Sequence, residues 1–401
     1  MRVFDGLKVL DVAGYIAAPG AATILSDFGA DVIKIEAPGD GDPFRKVYRM
    51  PNQAISDHNY LWTMAARNRR ALALNLKRPE GQQVLQRLVQ AADVLITNYP
   101  PHVRGSLGLT YEQLNGLNPR LIYASFTGYG ETGPEAAKPG FDATAYWSRS
   151  GLADLVRPDP DGPPASAANG MGDQPSGGML YGAIVTALYR RERTGQGGMV
   201  SSSLIANGAW ANAMSIQAAL VGGEVVYRQP RQRPRNALAN YYRCRDARWF
   251  ILSLIAEERM WPSFAALVGL SHLLSDPRFI DSPARREHAA ELAAQLDGAF
   301  AQRDSDAWQS LFEDAGHTVG IVARSADALH DEQMRIAGAL VPGDGIPGSG
   351  LTVDSPFRLS DENKVRPRPA PAVGQHSDEI LQAHGYDAEA IRQLRDSGVV
   401  G

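Results

Sequence analysis

The first hundred residues alternate between short apolar runs and segments of helical period, and this alternation constrains the fold more than any single motif. Leu7-Lys8-Val9-Leu10-Asp11-Val12 is short and apolar enough to be a buried strand. Ala17 to Gly29 follows, with Ile24, Leu25 and Phe28 at helical spacing and Gly29 where a helix stops. Val32-Ile33-Lys34-Ile35 is rich in β-branched residues and reads as the next strand. A strand over Arg70–Leu76, a helix opened by Pro79 and running to about Gln90, and strands at Asp93–Thr97 and Leu121–Ser125 continue the theme. Strand–helix–strand repetition predicts a parallel sheet covered by helices, an α/β fold.

From about residue 176 to 220 the pattern is helical, with Met179, Ile184, Val185 and Leu188 on one stripe and a Gly195/Gly197 turn after the basic run 190–193. Arg228 to Arg235 is kept extended by Pro230 and Pro234 and reads as a linker. A smaller unit is expected from Asn240 to about Ala315, beginning with a hairpin around Asp246 and continuing in Ala- and Leu-rich helices. Beyond Thr318 short strands return, then a Pro-rich stretch at 366–372 and a final helix from Ser377. The 401 residues suffice for two domains, or for one large domain with an insertion, and no repeat of fixed period is visible.

Several classes of function are disfavoured at once. With 40 Lys+Arg against 44 Asp+Glu the net charge is −4, which gives no electrostatic reason to expect nucleic acid. The single cysteine, Cys244, has no internal partner, as expected for a reducing compartment. The amino terminus lacks the apolar core of a signal peptide. Residues 194–223 carry no charge, yet Ser201, Ser202, Ser203, Asn207, Asn212 and Gln217 argue against a membrane span, so the chain is read as cytoplasmic. Gly128-Tyr129-Gly130-Glu131-Thr132-Gly133 matches a dinucleotide fingerprint in letters only. Pro134, Pro139 and Gly140 leave no room for the helix that such a motif must open, so a glycine-rich loop is expected. The histidines show no H-x-x-x-H pair and Cys244 adds no ligand spacing, so no metal site is expected. Serine-hydrolase and Walker A motifs are missing. Glu257-Glu258 and the basic run 228–235 read as solvated charge.

Four segments in order carry a more specific signal: residues 6–45 (GLKVLDVAGYIAAPG onward), 68–81 (NRRALALNLKRPEG), 92–130 (ADVLITNYPPHVRGSLGL to SFTGYG) and 169–200 (NGMGDQPSGGMLYG onward). Together they resemble the class III CoA-transferases, the formyl-CoA transferase and carnitine CoA-transferase (CaiB/BaiF) family. The resemblance continues more weakly through 236–253. It implies a large Rossmann-like domain built from both chain ends (1–225 and 321–401), a smaller inserted α+β domain (226–320), and a homodimer whose subunits interlock like links. In such a dimer one subunit's small domain would close over the other's CoA site.

On that resemblance Asp173, in Gly-Met-Gly-Asp, matches the family's catalytic aspartate. Its carboxylate would attack an acyl-CoA thioester to give a mixed anhydride, and the released thiolate would convert this to an aspartyl-CoA thioester. Finally, the acceptor carboxylate would repeat the sequence in reverse. An Asp with a reference pKa of about 3.9 is ionised at neutral pH and needs no partner base. N–H groups of Gly170, Gly172, Gly177 and Gly178 are candidate oxyanion donors. Read from the residues alone, Asp173 is better taken as a cap for the helix starting near Ser176. For CoA, the resemblance carries over Ile16 and Ala17 beside the pantetheine, and Leu74 and Lys77 at the adenine and phosphates. It also carries over Asn98 and Tyr99 after the next strand, and Arg104 and Lys138 for the phosphate charge. No permanently bound cofactor is implied, since the CoA thioester is a substrate exchanged with a small carboxylic acid.

Departures narrow the reading. Ile16 stands where formyl-CoA transferases have a glutamine, Ala37 where they have an arginine, and Ser253 to Glu258 where their glycine-rich flap falls. These differences disfavour formyl-CoA:oxalate exchange and suggest an apolar or larger acyl group. The α-methylacyl-CoA racemases share the fold, but their G-H-D motif is Gly140-Phe141-Asp142 here, and Phe141 cannot move a proton. An intramolecular CoA transfer, and a non-catalytic acyl-CoA binding protein, remain as alternatives.

Overall fold

Strands β1 (Lys8–Val12), β2 (Asp31–Glu36), β3 (Arg70–Ala73), β4 (Val94–Thr97), β5 (Ile122–Thr127) and β6 (Gly198–Ser203) form one sheet. Their order is β3-β2-β1-β4-β5-β6 and every pair is parallel. The structure is a computed structural model and describes residues 1–401. Chain order reverses between β1 and β4, which pair with Leu10 beside Leu95. In open sheets of this kind ligands bind outside the carboxyl ends of the strands at that reversal.

Strands β1 to β5 are buried on both faces because successive side chains alternate between two cores. Leu10, Val12, Ile33, Ile35 and Leu72 point into one, against Val84, Leu85, Leu88 and Val89 of α2 (Pro79–Gln90). Val9, Val32, Val94 and Ile96 point into the other. There they meet Ala17, Ala18, Ala21, Ala22 and Leu25 of α1 (Ala17–Asp27), and Leu180 and Ile184 of α3 (Asp173–Thr194). α1 and α3 touch backbone to backbone. A Cβ on Gly177 would stand 2.8 Å from the Ala17 carbonyl oxygen and 3.2 Å from the Gly20 Cα, so only glycine lets the helices approach this closely.

By its contacts the chain forms two compact units, 1–152 with 166–217 and 332–401, and 153–165 with 218–331. The second holds an antiparallel sheet of β7 (Tyr241–Arg243), β8 (Trp249–Leu252) and β9 (Val319–Ile321). The hairpin expected around Asp246 is β7–β8, turned with Ala247 at φ 63°. Its core is aromatic, with Tyr242, Phe250, Phe264, Phe300 and Phe312 fully buried. The excursion 153–165, with Pro158, Pro160, Pro163 and Pro164, lies outside the smaller unit expected from the pattern.

Three readings of the pattern need correction. Residues 198–203 are not helical: they form β6, because pairing with β5 from Ile122–Gly198 to Thr127–Ser203 outweighs the poor strand propensity of three serines. The helix from Ser377 ends at Ala383, and Ala388–Asp396 makes a further one. Residues 319–321 pair with β8 and the second unit runs to Asp331, past residue 320 where the small domain was expected to end. No helix is long and apolar enough to cross a membrane.

The helix contact predicts opposite outcomes for neighbouring glycines. Gly177→Ala should destabilise by about 1–3 kcal/mol through overpacking. Gly178→Ala, whose Cβ meets nothing within 4 Å, should stabilise by about 0.5–1 kcal/mol. Urea unfolding of the two variants checks both signs.

Candidate active site

The crevice at the strand reversal is laced by reciprocal bonds between the loops after β1 and β4. The Gly14 N–H donates to Asn98 Oδ1 at 2.9 Å, and Asn98 Nδ2 donates to the Gly14 carbonyl at 2.8 Å. Next to this clasp, Tyr15 is held at φ 63°, a left-handed conformation that disfavours a side-chain-bearing residue by about 1–2 kcal/mol. Its N–H donates to Asp42 Oδ1 at 3.1 Å, while Asp42 Oδ2 sits 2.8 Å from the buried Lys34 ammonium. The turn delivers Ile16 to the start of α1, where its Cδ1 lies 3.5 Å from the Cβ position of Gly170.

Asp173 is the first residue of α3 and is half-buried. Beside it lies Asp142, at the start of a π-helical turn, Asp142–Ser148. The turn reaches this edge of the sheet because the glycine-rich loop 128–140 closes on itself, with Gly128 packed against Gly140. The Gly172 N–H donates to both Asp142 oxygens at 3.1 Å, and the Gly170 and Asp173 N–H groups point at the same carboxylate. Gly172 is required, since a Cβ there would stand 2.5 Å from the Tyr146 ring.

This arrangement corrects the expected oxyanion donors. The Gly170 and Gly172 N–H groups are occupied by Asp142, and Gly177 and Gly178 lie within α3, where N–H groups bond along the helix. Gln174 donates to the Gly170 carbonyl at 3.0 Å, Pro175 has no N–H, and Ser176 donates to the Gly172 carbonyl at 3.1 Å. The amino end of α3 is thus filled by a carboxylate of the protein itself.

Burial, with the Asp142 charge second, pushes Asp173 up to about 7. Burial also raises Asp142, against the three N–H groups that favour its ionised form. At neutral pH Asp173 therefore has a substantial carboxylate fraction of unusual basicity, suited to a nucleophile. Asp142 is the functional-site residue that sequence reading left unassigned. Its only signal was its place in the Gly-Phe-Asp segment weighed for a racemase.

The residues expected to hold CoA fare differently. Ile16 and Asn98 shape the crevice, Tyr99 is partly exposed after β4, and burial raises its phenol. Lys77 is exposed just beyond β3. Lys138 lies 4.9 Å over the Tyr129 ring and 3.0 Å from Glu135, on a cleft of about 540 Å³ also lined by Phe141, Thr144 and Arg149. Three side-chain assignments do not fit. Leu74 is packed in the first core and Ala17 in the second, so neither side chain faces a ligand. Arg104 is buried, with its guanidinium on Glu131 at 2.7 and 3.1 Å, on Ser125 at 2.6 Å and on the Tyr99 carbonyl at 2.8 Å. It braces the loop after β4 rather than offering a free cation to phosphate.

An open parallel sheet with a half-buried carboxylate, Asp173, beside its strand-reversal crevice is the arrangement found here. The profile of CoA-transferase family III matches residues 4–377, and the chain belongs to that family; it is a class III CoA-transferase. It is similar to the (R)-2-hydroxy-4-methylpentanoate CoA-transferase of Clostridioides difficile, 33% identical with 99% of each chain covered. It is 29% identical to the succinyl-CoA:glutarate CoA-transferase of Mus musculus, covering 100% of this chain and 91% of that one. Among solved structures, a CaiB/BaiF family protein from Brucella suis superposes with a TM-score of 0.86 at 28% identity, covering 96% of this chain and 99% of that one.

The raised carboxyl fixes the sign of a pH effect. Folding favours protonated Asp173, so its contribution to stability is full below about pH 4 and is lost as pH rises through about 7. Asp173→Asn should therefore gain stability over the unmodified protein between pH 5 and pH 8, by roughly 1–2 kcal/mol after solvent screening. Thermal unfolding at both pH values checks this. Asp142→Asn keeps an acceptor for the N–H groups but removes the charge, and should lower the Asp173 midpoint in carboxyl-carbon NMR.

Proposed function

We propose that this enzyme moves CoA from an acyl-CoA to a carboxylic acid through covalent intermediates on Asp173. The observation that carries the reading is a half-buried carboxylate of raised basicity at the mouth of the strand-reversal crevice, its main chain clamped by Asp142. An Asp173 oxygen attacks the thioester carbon, the C–S bond breaks, and CoA thiolate leaves, giving an acyl aspartyl anhydride. The thiolate then attacks the aspartyl carbonyl, releasing the first acid and leaving an aspartyl-CoA thioester. The acceptor carboxylate attacks that thioester, and the thiolate returns to the acceptor's carbonyl, freeing Asp173. Atoms and charge balance without water, an external base or a redox partner, so the low ordinary basicity of a carboxylate is its only handicap, and burial raises it.

Lys77 and Lys138 supply positive charge for the CoA phosphates, and Ile16, Asn98 and Tyr99 line the path of the pantetheine towards Asp173. Arg104 acts through the loop it braces.

Incubation with acyl-CoA thioesters followed by hydroxylamine trapping and peptide mass spectrometry tests the mechanism. A modified peptide containing Asp173, lost in Asp173→Ala, is expected. CoA binding with no label on Asp173 would instead support proton transfer at the acyl α-carbon or simple binding.

We also propose a homodimer, interlocked as in the family architecture. α4 (Leu204–Ala211) and α5 (Ala213–Leu220), in the uncharged stretch 194–223, leave Trp210 and Met214 74% and 90% exposed. Apolar area of this kind is characteristic of a surface covered by another chain. Sedimentation on dilution should show no active monomer; a stable active monomer overturns this assembly.

A further inference from the structure

Resting on Asp173 as the nucleophile, the surroundings of that residue assign the class of acyl group. Large apolar side chains from three separate segments lie beside it, three of them exposed and Ile16 half-buried. Tyr15 and Phe141 meet edge to face with ring centroids 6.4 Å apart, and are 45% and 59% exposed. Ile16 packs towards Gly170, and Met171, two residues before the nucleophile, is exposed. None of the four belongs to a buried core, although Ile16 leans on the small cluster around Phe44 and Trp62. An apolar patch held open around a reacting carboxylate, with Tyr15 kept in a strained conformation by Asp42, has the character of a binding surface.

Charge sharpens the assignment. The charge acting on Asp173 is that of Asp142, another carboxylate. Two cations close to Asp142 in the chain, Lys138 and Arg149, are both paired with Glu135, at 3.0 and 3.1 Å. A thioester whose acyl chain ends in a second carboxylate would bring a third negative group towards this carboxylate pair, a like-charge and desolvation cost that an apolar acyl group does not meet.

We infer that the enzyme acts on monocarboxylic acyl groups with a branched or aromatic apolar body, gripped by Tyr15, Ile16 and Phe141, and that it excludes dicarboxylic acyl groups. The two relatives above, one named for a branched hydroxy acid and one for two dicarboxylic acids, show that both classes occur among similar enzymes. The inference is therefore a choice between real alternatives.

The test compares the rate of Asp173 labelling by isovaleryl-CoA and 3-phenylpropionyl-CoA with that by succinyl-CoA and glutaryl-CoA in the full-length protein. The apolar thioesters should be preferred by about tenfold or more in second-order rate. Phe141→Arg, at an exposed position where folding is not at stake, places a cation at the rim and should narrow the gap about tenfold in favour of succinyl-CoA. Equal labelling by all thioesters, or a preference for the dicarboxylic ones, overturns the substrate class and leaves the Asp173 mechanism standing. Labelling by none overturns both. A preference for apolar groups that Phe141→Arg does not change overturns the role of the aromatic rim.

Discussion

A lysine that never reaches water organises the working end of this protein. Lys34 is 1% exposed on β2, with Asp42 at 2.8 Å and Asp11 at 3.6 Å, and its ammonium also donates to the Ala13 carbonyl. Burial pulls its pKa down, but the two carboxylates outweigh that and raise it, so the charge is retained inside. Arg69 completes the cluster on Asp11 and reaches the Pro19 carbonyl and Thr23 of α1. Breaking one member of such a group strands the others, with a penalty of about 3–5 kcal/mol, so the arrangement is all or nothing. From it follow the turn at Tyr15, the start of α1, the close crossing of α1 on α3 and thus the place of Asp173.

The amino end of a helix normally offers free N–H groups and a partial positive charge to an anion. Here Asp142 takes that place. The substitution has two effects on Asp173 that point the same way. It removes donors that would have held the Asp173 charge at ease, and it adds a like charge nearby. With burial as the larger cause, a residue that folding would rather keep protonated is made basic at neutral pH. Local stability and basicity are traded against each other at one side chain.

Much of the framework was legible in the chain. β1, β2, β4 and α2 lie within two residues of where apolar runs and Pro79 placed them, and the glycine-rich loop 128–133 opens no helix. Asp173 stood out through the Gly-Met-Gly-Asp segment. The misreadings share a cause. β6 carries three serines and exists because β5 offers it a ladder, information that lies some seventy residues away. Arg104 reads as a phosphate ligand until Glu131 is folded beside it, and Leu74 as a lining residue until the first core closes around it. Asp142 is one acidic residue among 44 until the fold sets it against the amino end of α3.

The sequence by itself determined the α/β class, the alternation of buried strands and covering helices, and membership of the class III CoA-transferase family, because period, propensity and short motifs are local properties of the chain. Only the tertiary structure decided the order of the sheet and hence the position of the crevice. It also decided which cations are free and which are committed, and it set the carboxylate pair. Those outcomes rest on charges and main-chain donors brought within a few ångströms from distant segments, where the energy of a group depends on what else is buried beside it.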